Sequence, residues 1–146
     1  MSLLANVPLV AAVVATFAAQ VLKVVLVLLT ERRWAFDRML ETGGMPSSHS
    51  ATVTALALAT GLVEGFSSTY FALSVVFAGI VMYDASGIRR AAGMHAQLIN
   101  DLVQELAHLF DEGFQPAALK TLLGHTYPQV VVGALVGSLT GLLVAM

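Results

Sequence analysis

Long apolar stretches alternate with shorter polar ones along the chain, and the apolar stretches predict about four membrane-spanning helices. The stretches are Val7 to Leu29, Ala51 to Val63, Thr69 to Met82 and Val130 to Met146. The middle two are short for a span. Their serine and threonine hydroxyls can bond to the preceding turn, so helices reaching from about Ser48 and to about Ala85 are expected.

A further helix is predicted between the third and fourth stretches. From Ile88 to Gly113 apolar residues recur at spacings of three and four, with polar residues between them, which is typical of an amphipathic helix. Such a helix is expected to lie along the membrane interface or to cap the bundle. The predicted fold class is all-α: a single membrane domain over residues 1–146, an integral membrane helical bundle of about four spanning helices plus one amphipathic interfacial helix.

Composition strengthens this prediction and excludes several classes of protein. Charged residues make up 11% of the chain, against roughly 25% in an average soluble domain. Hydrophobic residues make up 58%, and the mean hydropathy is +0.84. A net charge of −2 with seven lysines and arginines provides no basic surface for nucleic acid. The absence of cysteine excludes disulfides, thiolate metal sites and a cysteine nucleophile.

The ionisable residues are concentrated in two connections, the first-to-second and the third-to-fourth. All four histidines, eight of the nine acids and every basic residue lie in or beside them. The basic residues are Lys23, Arg32, Arg33, Arg38, Arg89, Arg90 and Lys120. The positive-inside rule places both connections on the cytoplasmic side, unless the cations are there to bind phosphate. The expected location of the protein is the plasma or inner membrane of a prokaryote. Solvated loops hold charges by default, but such a gathering is also expected of an active site.

The segment from Gly43 to Ala51 predicts an anion-binding site where a helix begins. Two glycines free the backbone, Pro46 suits a helix entry, and Ser47 or Ser48 can cap it, so amide N–H groups converge there. His49, one turn inside, could donate a proton to a leaving oxygen. The alternative is a capped helix start with an interfacial histidine.

A second histidine, His125, precedes the last predicted span. Alone it is typical of a solvated or helix-capping residue. Together with His49 and the arginines it supplies what phosphoryl transfer through a phosphohistidine requires: a nucleophile, an acid for the leaving group, and fixed cations.

Three segments carry a family resemblance: 43–51, 83–93 and 119–126. They resemble the small membrane proteins described as acid phosphatase/vanadium-dependent haloperoxidase related, a divergent branch of the type 2 phosphatidic acid phosphatase superfamily. The resemblance covers nearly the whole chain from Gln20 onward, and Gly-Gly-Met-Pro-Ser-Ser-His-Ser is its most specific part. It implies that His49 is the general acid and that His125 is the histidine that becomes phosphorylated.

The chain also departs from the superfamily pattern. The opening motif there has arginine and proline soon after its lysine, whereas Lys23 is followed by arginine only from Arg32 onward. The acid expected four residues beyond the nucleophilic histidine is replaced by Gln129. Another acid, such as Asp84, could orient the ring of His125 instead.

The resemblance and the charge pattern together give a set of candidate site residues. The candidate catalytic residues are His125 and His49. The candidate phosphate-binding residues are Ser47, Ser48, Gly44, Arg89, Arg90, Lys23 and Lys120, and the candidate orienting residues are Gln129 and Asp84. The two adjacent arginines could equally be positive-inside anchors. No metal and no other cofactor is expected.

Three functions remain open at this point. The favoured one is a membrane phosphatase that hydrolyses a lipid (acyl or prenyl) phosphate or diphosphate through a phosphohistidine. The second is a lipid-phosphate binding or transport protein with weak or lost catalysis, an alternative that Gln129 keeps open. The third is a structural protein, based on Gly133, Gly137 and Gly141, whose four-residue spacing permits close helix packing. That stripe could pack inside the bundle or form a homo-oligomer; the expected partners are otherwise a membrane lipid substrate and no nucleic acid.

Overall fold

A computed structural model describes residues 3–34, 43–109, 116–121 and 123–146, and these residues form an all-α fold. The helices are α1 (Val7–Glu31), α2 (Ser48–Glu64), α3 (Thr69–Ser86), α4 (Ile88–Glu105) and α5 (Tyr127–Ala145). Short 3₁₀ turns occupy Leu3–Ala5 and Ala107–Leu109. The described part of the chain has no strand, so the predicted helical membrane bundle is confirmed. Arg38 and the last four residues of the predicted amphipathic segment lie outside the described residues.

Side-chain caps fix where α1, α3 and α5 begin. The Asn6 Oδ1 accepts a hydrogen bond from the Leu9 N–H at 3.1 Å and starts α1. The Ser68 Oγ accepts from the Phe71 N–H at 3.2 Å and starts α3. At α5 the Thr126 hydroxyl forms one half of a capping box. Each of these bonds satisfies an N–H group that has no partner within its own helix.

Helix α2 is the centre of the bundle and contacts α1, α3 and α5. Its contact with α1 consists of small side chains at four-residue spacing, which lets the two backbones approach closely. The fully buried alanines are Ala11, Ala15 and Ala19 on α1 and Ala51, Ala55 and Ala59 on α2. The Thr16 and Thr52 hydroxyls make a polar contact across this interface, at 2.6 Å.

The glycine stripe of α5 packs against α2 of the same chain. Gly133, Gly137 and Gly141 are all buried. A Cβ at Gly137 would lie 2.8 Å from the Ala51 Cα, and a Cβ at Gly141 would lie 2.9 Å from the Ala55 carbonyl oxygen. The glycine face that could have formed a homo-oligomer is therefore covered by α2 of the same chain. This corresponds to the alternative in which the stripe packs inside the bundle.

Three stretches of the described residues are long and apolar enough to cross a membrane: Val7–Glu31, Thr69–Glu105 and Tyr127–Ala145. The second of these runs through α3 and α4. Helix α2 has 17 residues, and at 1.5 Å per residue its length of about 26 Å falls short of a typical hydrocarbon core of about 30 Å. The predicted second span is thus a shorter helix than the other three, surrounded by them rather than facing lipid on all sides.

Helix α4 diverges from the bundle after Gly87 and has the predicted amphipathic character. Only Gly93 and Ala96 are buried along it. Apolar side chains such as Leu98, which is 58% exposed, project from the protein. A helix of this kind is stabilised at a membrane interface, where its apolar side chains enter the acyl region.

Candidate active site

His125 is held by backbone contacts from two other elements. Its N–H donates to the Ala85 carbonyl at the end of α3, at 2.8 Å. The preceding residue, Gly124, has φ of +76°, and a Cβ there would lie 2.7 Å from the Arg90 Cα at the start of α4. A glycine is required by both the backbone conformation and the close approach. The result is that His125, 2% exposed, is fixed beneath the junction of α3 and α4.

The ring of His125 is oriented by a main-chain carbonyl from the segment before α2. Its Nδ1 lies 3.1 Å from the Gly44 oxygen, and because a carbonyl only accepts hydrogen bonds, Nδ1 carries the proton. In the neutral ring, Nε2 then bears the lone pair. This Nε2 atom is buried and has no hydrogen-bond partner among the described residues. The geometry leaves a nucleophilic nitrogen available for an incoming group.

His49 lies next to this nitrogen. The two imidazole centroids are 6.0 Å apart, and the ring planes meet at 63°. The Nδ1 of His49 is also buried without a partner in the described part of the chain. Two residues that are 76 positions apart in sequence are thus brought together, as the two sequence motifs predict.

Burial lowers the pKa of His125 below its ordinary value of 6.5, and the nearby charges of His49 and Lys23 lower it further. The Gln129 side chain and the Gly44 carbonyl act in the opposite direction without cancelling the shift. The residue precedes α5 and lies outside the spanning segments. Its imidazole is therefore neutral near pH 7, which is the state in which Nε2 can act as a nucleophile.

Lys23 brings a buried cation to the histidine pair. The residue is 2% exposed, and its side-chain carbons run past Gly44, with Cδ 3.4 Å from where a Cβ of that glycine would stand. Its charge acts on both His49 and His125. A buried ammonium is costly unless it is compensated, and an anion bound at the histidines would contribute to that compensation.

The serines at the start of α2 have mainly structural partners. The Ser47 Oγ accepts from the Ser50 N–H at 3.3 Å and from the Ser50 hydroxyl at 3.0 Å. The Ser47 N–H donates to the Gln129 carbonyl at 3.0 Å. The sequence predicts Ser47 as a phosphate ligand, but its Oγ accepts the bonds that cap α2 and its N–H joins α2 to α5. Ser48, in the first turn, is 9% exposed.

The two adjacent arginines have different surroundings. The Arg89 Nε forms an ion pair with the Asp84 Oδ2 at 2.6 Å, across the break between α3 and α4. Arg90 instead lines a cavity of about 220 Å³ together with Gly44, His125 and other residues. Arg90 is thus better placed than Arg89 to meet an anion in that cavity. Asp84, a candidate for orienting His125, makes its hydrogen bond to Arg89.

Of the two remaining predicted site residues, Gln129 lies near His125 and Lys120 lies away from its cavity. The Gln129 Oε1 accepts from the Thr126 N–H at 3.0 Å and completes the capping box of α5. The hydrogen-bond acceptor for His125 Nδ1 is therefore the Gly44 carbonyl, although Gln129 lies close enough to influence the ring. Lys120 is exposed and does not line the cavity that contains His125.

Several residues that line this cavity were not predicted, and the polar side chain of Gln97 is among them. Gln97, on α4, lines the same cavity as Arg90 and His125. Nothing in the sequence distinguishes it from the other polar residues of an amphipathic helix. In the described part of the chain, no group of three histidines, aspartates or glutamates lies close enough together to hold a metal ion.

Comparison with known proteins gives a family match and one similar protein. Residues 4–140 match the family described as "Divergent PAP2 family". The chain is 43% identical over 154 residues to "Uncharacterized membrane protein YuiD" of Bacillus subtilis (strain 168), an alignment that covers 99% of this chain and 98% of that protein. No solved structure matches.

Proposed function

Because the chain belongs to the divergent PAP2 family, we propose that it is a membrane phosphatase that hydrolyses a lipid phosphate or diphosphate through a phosphohistidine. One observation carries the proposal. Within the described ranges, the Nε2 of His125 is buried without a hydrogen-bond partner, its lone pair is set by the Nδ1 contact with Gly44, and a second imidazole lies beside it. A structural histidine of a bundle would have no need for such an arrangement, because an unsatisfied buried polar atom is destabilising.

In the first step the His125 Nε2 attacks phosphorus, and the bond from phosphorus to the leaving oxygen breaks. Protonated His49 gives its proton to that oxygen, so the alcohol leaves neutral. In the second step water attacks the phosphohistidine while neutral His49 accepts a proton from it, which releases inorganic phosphate and restores both rings. The charges of Lys23 and Arg90 stabilise the equatorial oxygens of the transferring phosphoryl group.

The substrate is proposed to be a lipid, either acyl or prenyl, because of where the site lies. His125 precedes α5, and His49 is in the first turn of α2, so both are at one end of the bundle. Helix α4, with its exposed apolar side chains, lies next to this end. A phosphate at the membrane interface would therefore reach the histidines while its hydrocarbon part remains in the bilayer.

A second candidate is a protein that binds or transports a lipid phosphate with weak or no turnover. It is favoured by the absence of a carboxylate at Gln129, whose amide oxygen is used to cap α5. A carbonyl such as that of Gly44 orients an imidazole, but it brings no full negative charge to stabilise the imidazolium form.

The two candidates are separated by phosphate release from purified protein in lipid bilayers, with phosphatidic acid, prenyl phosphates and prenyl diphosphates as substrates. His125→Ala is expected to abolish release. His49→Ala is expected to reduce it by about 10²–10⁴-fold for poor leaving groups and by less for leaving groups that need no proton. His95→Ala serves as the control, since this exposed histidine of α4 does not line the cavity. Binding of the same lipids without release would support the second candidate.

A further inference from the structure

A second cavity lies beside the first one and has a different chemical character. It has a volume of about 410 Å³ and lies between the later part of α4 and the segment 116–119. Its lining is mainly apolar and includes Ile99, Val103, Ala117 and Ala118. Cavities of this size and lining hold small apolar ligands or parts of larger ones.

The two cavities follow one another along the same two elements, because the chain after residue 115 runs back along α4. The Asn100 side chain donates to the Leu119 carbonyl and accepts from the Leu119 N–H, both at 2.9 Å. Further along, a Cβ on Gly93 would lie 3.0 Å from the Leu123 carbonyl, which places the segment directly on α4. This antiparallel pairing continues up to His125.

The boundary between the cavities is narrow. Gln97 lines the cavity of His125, and Asn100, one helical turn later, lines the second cavity. On the facing segment Thr121 belongs to the first cavity and Leu119 to the second. Gly93 and Val103 are ten positions apart, which corresponds to about 15 Å along the helix axis. A molecule with a phosphate at one end and a hydrocarbon chain at the other would place its phosphate in the cavity of His125 and its chain in the apolar cavity that follows.

The apolar side chains that line the second cavity are partly exposed, and their contact with water is unfavourable. Ile99 is 47% exposed and Leu119 is 45% exposed, and both line it. Covering such side chains with hydrocarbon removes apolar surface from water and is favourable. The side-chain amide of Asn100 also lines this cavity, but it is hydrogen-bonded to Leu119 and so is less available to a polar ligand.

We propose that this second cavity, the tail subsite, binds the hydrocarbon chain of the lipid whose phosphate reacts at His125. The proposal rests on the proposed function and specifies its substrate class: a lipid phosphate with one hydrocarbon chain. The subsite accommodates a single chain alongside α4, so a two-chain lipid such as phosphatidic acid would leave its second chain outside.

The test uses protein in lipid bilayers, because detergent would compete for the tail subsite. Ala118→Trp fills the subsite, and Ala118→Leu fills it partly. Leu98→Trp, on α4 directly before Ile99, is the matched control, since Leu98 is absent from the lining of either cavity. The substrates are farnesyl phosphate, which has a long chain, and dimethylallyl phosphate, which is too short to extend beyond the first cavity. Decyl phosphate distinguishes a preference for prenyl chains from a preference for any chain.

The expected result is that Ala118→Trp lowers kcat/KM for farnesyl phosphate by about tenfold or more, Ala118→Leu by less, and Leu98→Trp not at all. Dimethylallyl phosphate should be hydrolysed equally by all four proteins. An equal loss with both substrates would overturn the proposal, because it would mean that the substitution displaces His125. Unchanged kinetics with farnesyl phosphate would overturn it as well.

A direct binding measurement separates this inference from the proposed function. If the unsubstituted protein releases no phosphate, the phosphatase proposal fails, but the affinity for farnesyl phosphate is still measurable by calorimetry in bilayer discs. A lower affinity in Ala118→Trp and an unchanged one in Leu98→Trp would support the tail subsite on their own. Equal affinities in the two variants would overturn it.

Discussion

Enlarging one glycine of α5 tests the packing that holds the site together. In Gly137→Ala the new Cβ would meet the Ala51 carbonyl oxygen at a distance that real Cβ atoms do not show, with the Ala51 Cα at 2.8 Å. These atoms are backbone, so no side chain can rotate away and α2 and α5 must separate. Overpacking of this kind costs about 1–3 kcal/mol, while replacing a helical glycine by alanine returns up to about 1 kcal/mol. We expect a net destabilisation of about 1–2 kcal/mol.

The stripe also predicts a ranking among its glycines, and a glycine of α3 serves as the control. Gly141→Ala should cost less, because its nearest contact is 2.9 Å away. Gly79→Ala, on α3, should be neutral or stabilising by up to about 1 kcal/mol, since nothing lies within 4 Å of the added atom. Gly133→Ala should also reduce phosphate release, because the added Cβ would clash with the Ser47 carbonyl oxygen at the start of α2, the helix that carries His49.

The assay is reversible unfolding in mixed micelles, followed by circular dichroism, with the oligomeric state of each variant measured by light scattering. The reasoning is refuted if Gly137→Ala is as stable as Gly79→Ala. It is equally refuted if Gly137→Ala changes only the association state, because the stripe would then be a contact between two copies rather than a contact with α2.

Three further predictions concern the site and its orientation. Because the pKa of His125 is lowered, the acid limb of the kcat/KM profile, on which the nucleophilic ring becomes protonated and inactive, should lie below pH 6.5. The same group should stabilise the fold above pH 6.5, a contribution that is lost as the pH falls through the lowered pKa, as monitored by unfolding at several pH values. Gln129→Leu removes one half of the α5 capping box and should cost about 1 kcal/mol in unfolding measurements. Gln129→Glu retains that half and should shift the acid limb of the rate profile to higher pH; an unshifted limb would mean that position 129 does not influence His125. Single cysteines at Ser67 and Ala107, in a chain without native cysteine, should be labelled in intact cells by an impermeant reagent at Ser67 only, and the reverse pattern would place the histidines on the opposite side of the membrane.

Local patterns predicted much of the fold because each helix has its own periodicity and caps. The first apolar stretch, predicted to begin at Val7, begins there, and α1 continues two residues beyond the predicted Leu29. Helix α5 begins three residues earlier than the predicted Val130, since Thr126 and Gln129 have the spacing of a capping box that extends the helix toward its N-terminus. The sequence contains that motif, but the spacing of Gln129 from His125 indicates a second role for the same residue, so the spacing alone does not decide between the two.

The site was predictable only in part because it depends on long-range contacts. The pairing of His49 with His125 could be predicted, since each belongs to a recognisable motif at the same end of the bundle. The burial of Lys23 depends on how α1 packs, and the engagement of Ser47 depends on the contact with α5. Neither has a local pattern in the sequence. The separation of Arg90 from the ion-paired Arg89 likewise follows from the break at the start of α4.

The contact between His125 and Gly44 has a consequence for how activity is inferred across divergent relatives. Every residue type carries a main-chain carbonyl, so no exchange of side chains removes this acceptor directly; only a change in the course of the backbone displaces it. The course of the backbone depends here on a φ of +87° at Gly44, which a residue with a Cβ adopts only with strain. In a relative that lacks the acid after its second histidine, a backbone carbonyl can still orient that histidine. The missing acid does not by itself indicate lost activity. The position to compare between such proteins is the one that corresponds to Gly44, where the backbone conformation disfavours any side chain.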